Sequence, residues 1–200
     1  TLFLFLIFLT NYPLILGISN QQFYLDLDFI STNKFLTLFT HPFAHLSIYH
    51  LVTDLIVFLL LYFELGSLKN FSKYKIIVGC WVFSSVIAFF SLPLYSVSTF
   101  GGLSGINYGI LTYVCLKNAI KLENSFIFRA GSALFLLFLI IKQVIESCFH
   151  LNFVHEMHLG YVGIPISESH AGGMLAALTL FWISFKQEAL SKKSKSHTTD

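Results

Sequence analysis

Two hundred residues that are 56% hydrophobic and only 11% charged, with a mean hydropathy of +0.75, exclude a soluble globular domain, in which about a quarter of the residues are charged. Twenty-three phenylalanines point the same way, because a soluble chain has too little interior to hide so many rings. A net charge of +2, with no basic patch interleaved with aromatics, excludes nucleic acid as a partner.

A membrane-spanning helix needs about 20 mostly apolar residues. Six stretches qualify in chain order, at roughly 2–18, 46–66, 75–93, 103–117, 127–149 and 167–186. The first contains Asn11 and Pro13 and lacks a clear cleavage site after it, so it reads as a spanning helix and not as a signal peptide. Polar connections separate the stretches: SNQQFYLDLD, GSLKNFSK, LKNAIKLENS and NFVHEMHLG. The expected organisation is one all-α membrane domain over residues 1–186, followed by a polar, disordered cytoplasmic tail over 187–200. Cys80, Cys115 and Cys148 all lie in apolar runs and read as packing residues, not as a disulfide framework.

The lysines give an orientation. Lys69, Lys73 and Lys75 follow the second stretch, Lys117, Lys121 and Arg129 follow the fourth, and Lys186, Lys192, Lys193 and Lys195 follow the sixth. If all six stretches cross the bilayer, these residues share one side, and the positive-inside rule places both termini in the cytoplasm. The fourth stretch is short. From Ser104 to Leu116 it reaches only about 20 Å at 1.5 Å per residue, against a hydrocarbon core of about 30 Å. Its helix therefore starts inside the membrane, and YSVSTFGG must dip in before it. Irregular backbone at that depth is tolerated where it lines a cavity.

In this topology the second, fourth and sixth stretches run in the same direction, and each carries polar residues near its start: His41, His45, His50 and Asp54; Ser104; and His170. Intramembrane polar groups of this kind face a bundle interior or a cavity. Gly101-Gly102-Leu103-Ser104-Gly105 puts a glycine-flanked serine at a helix start, where backbone N–H groups can receive a developing oxyanion. Alone, that pattern is weak and more often marks a helix cap or a packing serine; an intramembrane histidine at the same depth adds a base for the hydroxyl. Gly105 and Gly109 on one stretch, and Gly172, Gly173, Ala176 and Ala177 on the other, supply small faces for close helix packing. Tyr108 lies one turn after Ser104, and His50 and Asp54 share a face. A metal site from His41, His45 and His50, or from His150, His155 and His158, is the competing reading, although no H-E-x-x-H motif accompanies either set.

Together, FGGLSGINYG, HPFAHLSIYHLVTD and SHAGG resemble the motifs of the rhomboid family of intramembrane serine proteases, in the right order across the second to sixth stretches. The resemblance implies a six-helix rhomboid-like bundle and a serine-type endopeptidase that cleaves transmembrane segments near the outer leaflet. It makes Ser104 the nucleophile, His170 the general base and Tyr108 the residue packed on that base. His50, Asp54 and the backbone near Leu103 would form the oxyanion hole, with His41 and His45 structural. A Ser–His dyad is implied in place of a triad, since Glu168 lies toward the surface. The partners implied are transmembrane protein substrates and the lipid bilayer, with no cofactor and no metal, in a multi-pass protein of the bacterial inner membrane. Two departures stand out: Asp54 occupies the place of the family's usual asparagine, and Leu36-Thr37 that of a usual Trp-Arg pair. The Lys142/Glu146 pair and GIPISESHAGG are similar to the rhombosortase subclass, which would make the substrates C-terminal membrane anchors; a non-catalytic rhomboid-like binder is the remaining alternative.

Overall fold

The computed structural model describes residues 2–28, 34–68, 70–95, 98–149, 160–164 and 166–196, so that His150, His155 and His158 lie outside the described residues. Among the described residues seven α-helices carry the fold: α1 (Leu2–Ile15), α2 (Thr37–Thr40), α3 (Ile48–Glu64), α4 (Asn70–Ser91), α5 (Ser104–Ile120), α6 (Phe126–Phe149) and α7 (Ser167–Ser196). A helix therefore stands at each of the six apolar stretches. Among the described residues two helical segments, Ser72–Tyr95 and Phe126–Phe149, are long and apolar enough to cross a membrane, and the pair Thr37–Phe43 and Ile48–Glu64, bent by 85°, makes a third if it is one span. The others fall short for local reasons. α1 has 14 residues, α3 and α5 have 17 each, and α7 opens on polar and small residues, Ser-Glu-Ser-His-Ala-Gly-Gly.

α5 begins at Ser104, as its sequence anticipates, but runs past Lys117 to Ile120. At 1.5 Å per residue it is about 25 Å long, still short of the hydrocarbon thickness. α7 keeps helical geometry beyond Lys186, as far as Ser196. The sequence gives no sign of a small antiparallel ladder, β1 (Leu25–Asp26) with β2 (Thr99–Phe100), pairing Leu25 with Phe100 and Asp26 with Thr99. Two residues per strand are too few to show an alternating pattern. The ladder ties the segment before α5 to the connection after α1. Beside it the Asp26 carboxyl, which accepts from the Asp28 N–H and pairs with Lys34 at 3.0 Å, is held below the ordinary carboxylate range. In place of the Trp-Arg pair, Leu36 is exposed while Thr37 is buried and donates to the Lys34 carbonyl at 2.6 Å.

α4, α5 and α7 make the most extensive helix pairings, and α3 and α6 lean on α5. α5 is the central element, with Gly105, Ile106, Asn107, Gly109, Ile110 and Thr112–Cys115 all buried. The approach is close enough to exclude side chains. A Cβ at Gly173 would fall 1.9 Å from the Gly105 carbonyl oxygen, and one at Gly109 would fall 2.4 Å from Cys80 Sγ and 2.7 Å from the Gly173 oxygen. Small residues at such crossings let backbones touch, which is how helices associate where lipid supplies no hydrophobic drive. The outward faces carry large exposed apolar groups, among them Phe63, Phe90, Leu134, Phe138 and Trp182.

Gly173→Ala should therefore lower stability by about 1–3 kcal/mol through overpacking. Gly131→Ala on α6, where a Cβ meets nothing within 4 Å, should be neutral or up to about 1 kcal/mol stabilising. Thermal unfolding of both variants in detergent micelles checks the contrast, and equal losses would remove the packing argument.

Candidate active site

Ser47 caps α3 by accepting the His50 N–H at 3.0 Å, and its hydroxyl also donates to the Tyr161 carbonyl. This cap fixes where α3 starts. It therefore fixes His50 and Asp54, one turn apart, on the face turned toward α5. Opposite them the chain enters α5 through Gly101 and Gly102. A Cβ on Gly101 would meet the Ala44 carbonyl oxygen at 2.8 Å, and Gly102 has φ +125, with its N–H donating to the His41 carbonyl at 3.0 Å. A side chain at residue 102 would also strike His50, at 3.0 Å from Cε1 and 3.2 Å from Nε2. Glycine is thus required by conformation and by space. Leu103 adds no side-chain cap, so the first N–H groups of α5 lack intrahelical partners. Its own side chain is buried in the apolar core.

Ser104, His170, Tyr108, His50 and Asp54 all border one cavity of about 210 Å³, together with Tyr24, Gly101, Lys142 and Glu146. His170 stacks on Tyr108, with ring centroids 4.2 Å apart and planes 9° from parallel. Among the described residues no hydrogen bond joins Ser104 to His170, and His170 Nδ1 is buried without a partner. Such bonds are often long before a substrate is bound and tighten afterward. Gly105, Gly109 and Gly173 make the α5–α7 contact that sets the two helices side by side, and Ser84 on α4 bonds Ser169 at 3.0 Å, just before His170. Glu168 turns away, accepting from the Tyr95 hydroxyl at 2.6 Å.

The three histidines of the second stretch do not meet at one point. His41 is tied to the Thr37 carbonyl at 2.8 Å and to Ser85 Oγ at 2.9 Å, whereas His45 and His50 flank Asp54, each with Nε2 3.4 Å from Oδ2. Among the described residues no group of three or more histidine, cysteine or acidic side chains could hold a metal ion.

Two sets of residues escape the motif reading. On α1, Thr10 and Asn11 donate to the Phe43 carbonyl at 2.8 and 2.5 Å, and Asn11 Oδ1 accepts the His45 N–H at 2.9 Å. Asn20 and Tyr24 close the same network on the His45 carbonyl at 3.2 and 2.8 Å. Desolvation pushes the Tyr24 hydroxyl up to about 12, so it keeps its proton as a donor. Their one signal in the sequence is a Thr-Asn pair inside an apolar run. On α6 the buried residues are Leu139, Lys142, Gln143 and Glu146. Gln143 donates to the Ser167 carbonyl at 2.6 Å, and Lys142 pairs with Glu146 at 2.5 Å and sits 5.0 Å from the centre of the Tyr108 ring. Gln143 stands beside the Lys142/Glu146 pair and is the member that the sequence does not single out.

No curated protein matches the chain. The family model for the Rhomboid domain matches residues 32–187, which takes in α2 to α6, most of α7 and every residue bordering the cavity except Tyr24. The chain is an integral membrane protein that belongs to the rhomboid family, whose members are in general intramembrane serine proteases, although some are inactive.

Proposed function

We propose that the chain is an intramembrane serine endopeptidase, with Ser104 as nucleophile and His170 as general base, acting on transmembrane segments of other proteins. The observation that carries this reading is the opening of Ser104, at an uncapped helix start, onto the same cavity as a histidine stacked on Tyr108. In this reading α1, α3, α4, α5, α6 and α7 all cross the membrane, the tail beyond residue 186 is cytoplasmic, and the host membrane is a bacterial inner membrane with both termini inside. The lysine distribution supports that orientation.

A substrate helix unwinds near the outer leaflet and presents an extended backbone to the cavity. Ser104 Oγ attacks the scissile carbonyl carbon while His170 takes the hydroxyl proton. The oxyanion receives hydrogen bonds from the N–H groups at the start of α5 and from His50. Collapse of the tetrahedral intermediate breaks the C–N bond, and His170 gives its proton to the leaving amine. Water then hydrolyses the acyl-enzyme by the same steps in reverse order. The buried Lys142–Glu146 pair favours a second reading, a rhombosortase-like protease that processes C-terminal membrane anchors.

A fluorophosphonate probe should label the native protein in membranes and leave Ser104→Ala unlabelled; equal labelling would remove Ser104 as nucleophile. Tyr108→Phe should keep most of the cleavage rate, because the ring stack survives. Tyr108→Ala should lower kcat by about 2- to 12-fold, the worth of a stacked pair at ~0.5–1.5 kcal/mol. Rates of cleavage of a transmembrane reporter distinguish the two, and indifference to both would deny the ring any part in orienting the base.

A further inference from the structure

Asn11 fixes the proton on a buried histidine. Its Nδ2 lies 2.7 Å from the Ile7 carbonyl and 2.5 Å from the Phe43 carbonyl. Both partners only accept, so the amide atom facing His45 is oxygen. That oxygen takes the His45 N–H at 2.9 Å and lies 3.3 Å from the ring Nδ1. Nδ1 therefore carries a hydrogen, and the second ring nitrogen is left to face Asp54.

The His45 side chain is wholly buried, and Nε2 stands 3.4 Å from Asp54 Oδ2. Both atoms are buried, and neither has a hydrogen-bond partner among the described residues. A neutral imidazole with hydrogen on Nδ1 presents a lone pair there, and a carboxylate presents another. Two opposed lone pairs in a dry interior cannot persist, so one proton must stand between them. Whether it is written on nitrogen or on oxygen, the pair holds the same number of protons and is neutral overall. The same Oδ2 lies 3.4 Å from His50 Nε2, on the cavity side beside Gly102.

We propose that His45, oriented by Asn11, is a positioning residue that holds a proton against Asp54 and so lets a carboxyl group stand in the oxyanion hole. The inference rests on the serine-protease reading of the cavity. An unpaired carboxylate beside the developing oxyanion would oppose it. Neutralised by the His45 proton, Asp54 no longer repels that charge, and His50 Nε2–H is free to meet it. An asparagine at residue 54 would need no such proton, so the importance of His45 is tied to the acid it faces.

Reporter cleavage by a four-member cycle tests that tie. With Asp54 in place, His45→Leu should lower kcat by about 10²- to 10³-fold, the range for loss of one oxyanion-hole donor, with KM little changed. In an Asp54→Asn background, whatever its own rate, the same change should lower kcat by no more than about 10-fold. Equal losses in both backgrounds would overturn the proposal and leave His45 a packing residue. Should His45→Leu fail to fold, nitrogen-15 NMR of histidine-labelled native protein in micelles decides directly. Hydrogen on Nδ1 together with a protonated or strongly hydrogen-bonded Nε2 is expected, and a bare Nδ1 would overturn the inference. Ser104→Ala serves as the separate control: if cleavage persists in it, the protease reading fails, whatever the cycle shows.

Discussion

The backbones of α5 and α7 touch. At Gly173 and Gly105 there is no room for a single added carbon, and α4 presses on the same seam through Cys80 and Ser84. The meeting of Ser104 and His170 on one cavity depends on this contact, because it sets α5 and α7 side by side. In hydrocarbon, helices gain nothing by hiding apolar surface from one another, so dispersion and polar contacts at a close crossing must hold them together. The glycines are thus the condition for the site as much as for the fold.

A second constraint shapes the rim. The turn from α2 into α3 bends the chain by 85°; the His41 carbonyl keeps the Ala44 N–H at 3.2 Å, while the carbonyls of residues 43 and 45 lose helical partners there. Unpaired backbone groups at membrane depth cost several kcal/mol each. Thr10 and Asn11 take up the Phe43 carbonyl, Asn20 and Tyr24 take up that of His45, and Gly102 N–H adds a second bond to His41. The network satisfies the bend and, through Asn11 and His45, fixes what faces Asp54. One set of hydrogen bonds thereby serves both stability and the electrostatics of the oxyanion hole.

How much was legible in the sequence follows from the kind of signal each part leaves. Apolar length marked every major helix, and Gly-Gly-Leu-Ser-Gly marked the start of α5 because φ +125 at Gly102 leaves few other residues able to stand there. The place of Ser104, Tyr108, His170, His50 and Asp54 on one cavity follows from helix phase and common depth, both of which a sequence carries. The β1–β2 ladder and the α1 network were not legible. Their partners are distant in the chain, and two-residue strands or a lone Thr-Asn pair have no periodicity. The far end of α5 was misjudged by one turn because Lys117 looks like a membrane exit, while the helix itself has no reason to stop before Ile120. Which spans cross the bilayer is a question of apolar length, and here the short α5 and the polar opening of α7 blur the pattern for the same reason that they build a cavity.

The inward face of α6 adds a last constraint on the chemistry. In the proposed reaction His170 acquires a positive charge while stacked on one face of Tyr108, and the Lys142 ammonium lies over the Tyr108 ring. An unbalanced cation so close would oppose the imidazolium as it forms. Glu146, 2.5 Å from Lys142 and the most deeply buried residue of the helix, offsets part of that field. A buried pair of this kind adds little stability over apolar residues of the same size, because both charges must leave water. The pair shares the inward face of α6 with Leu139 and Gln143, and through Lys142 it reaches the Tyr108 ring. In that reaction the ammonium would brace the ring stacked on His170, and the carboxylate would offset part of its charge.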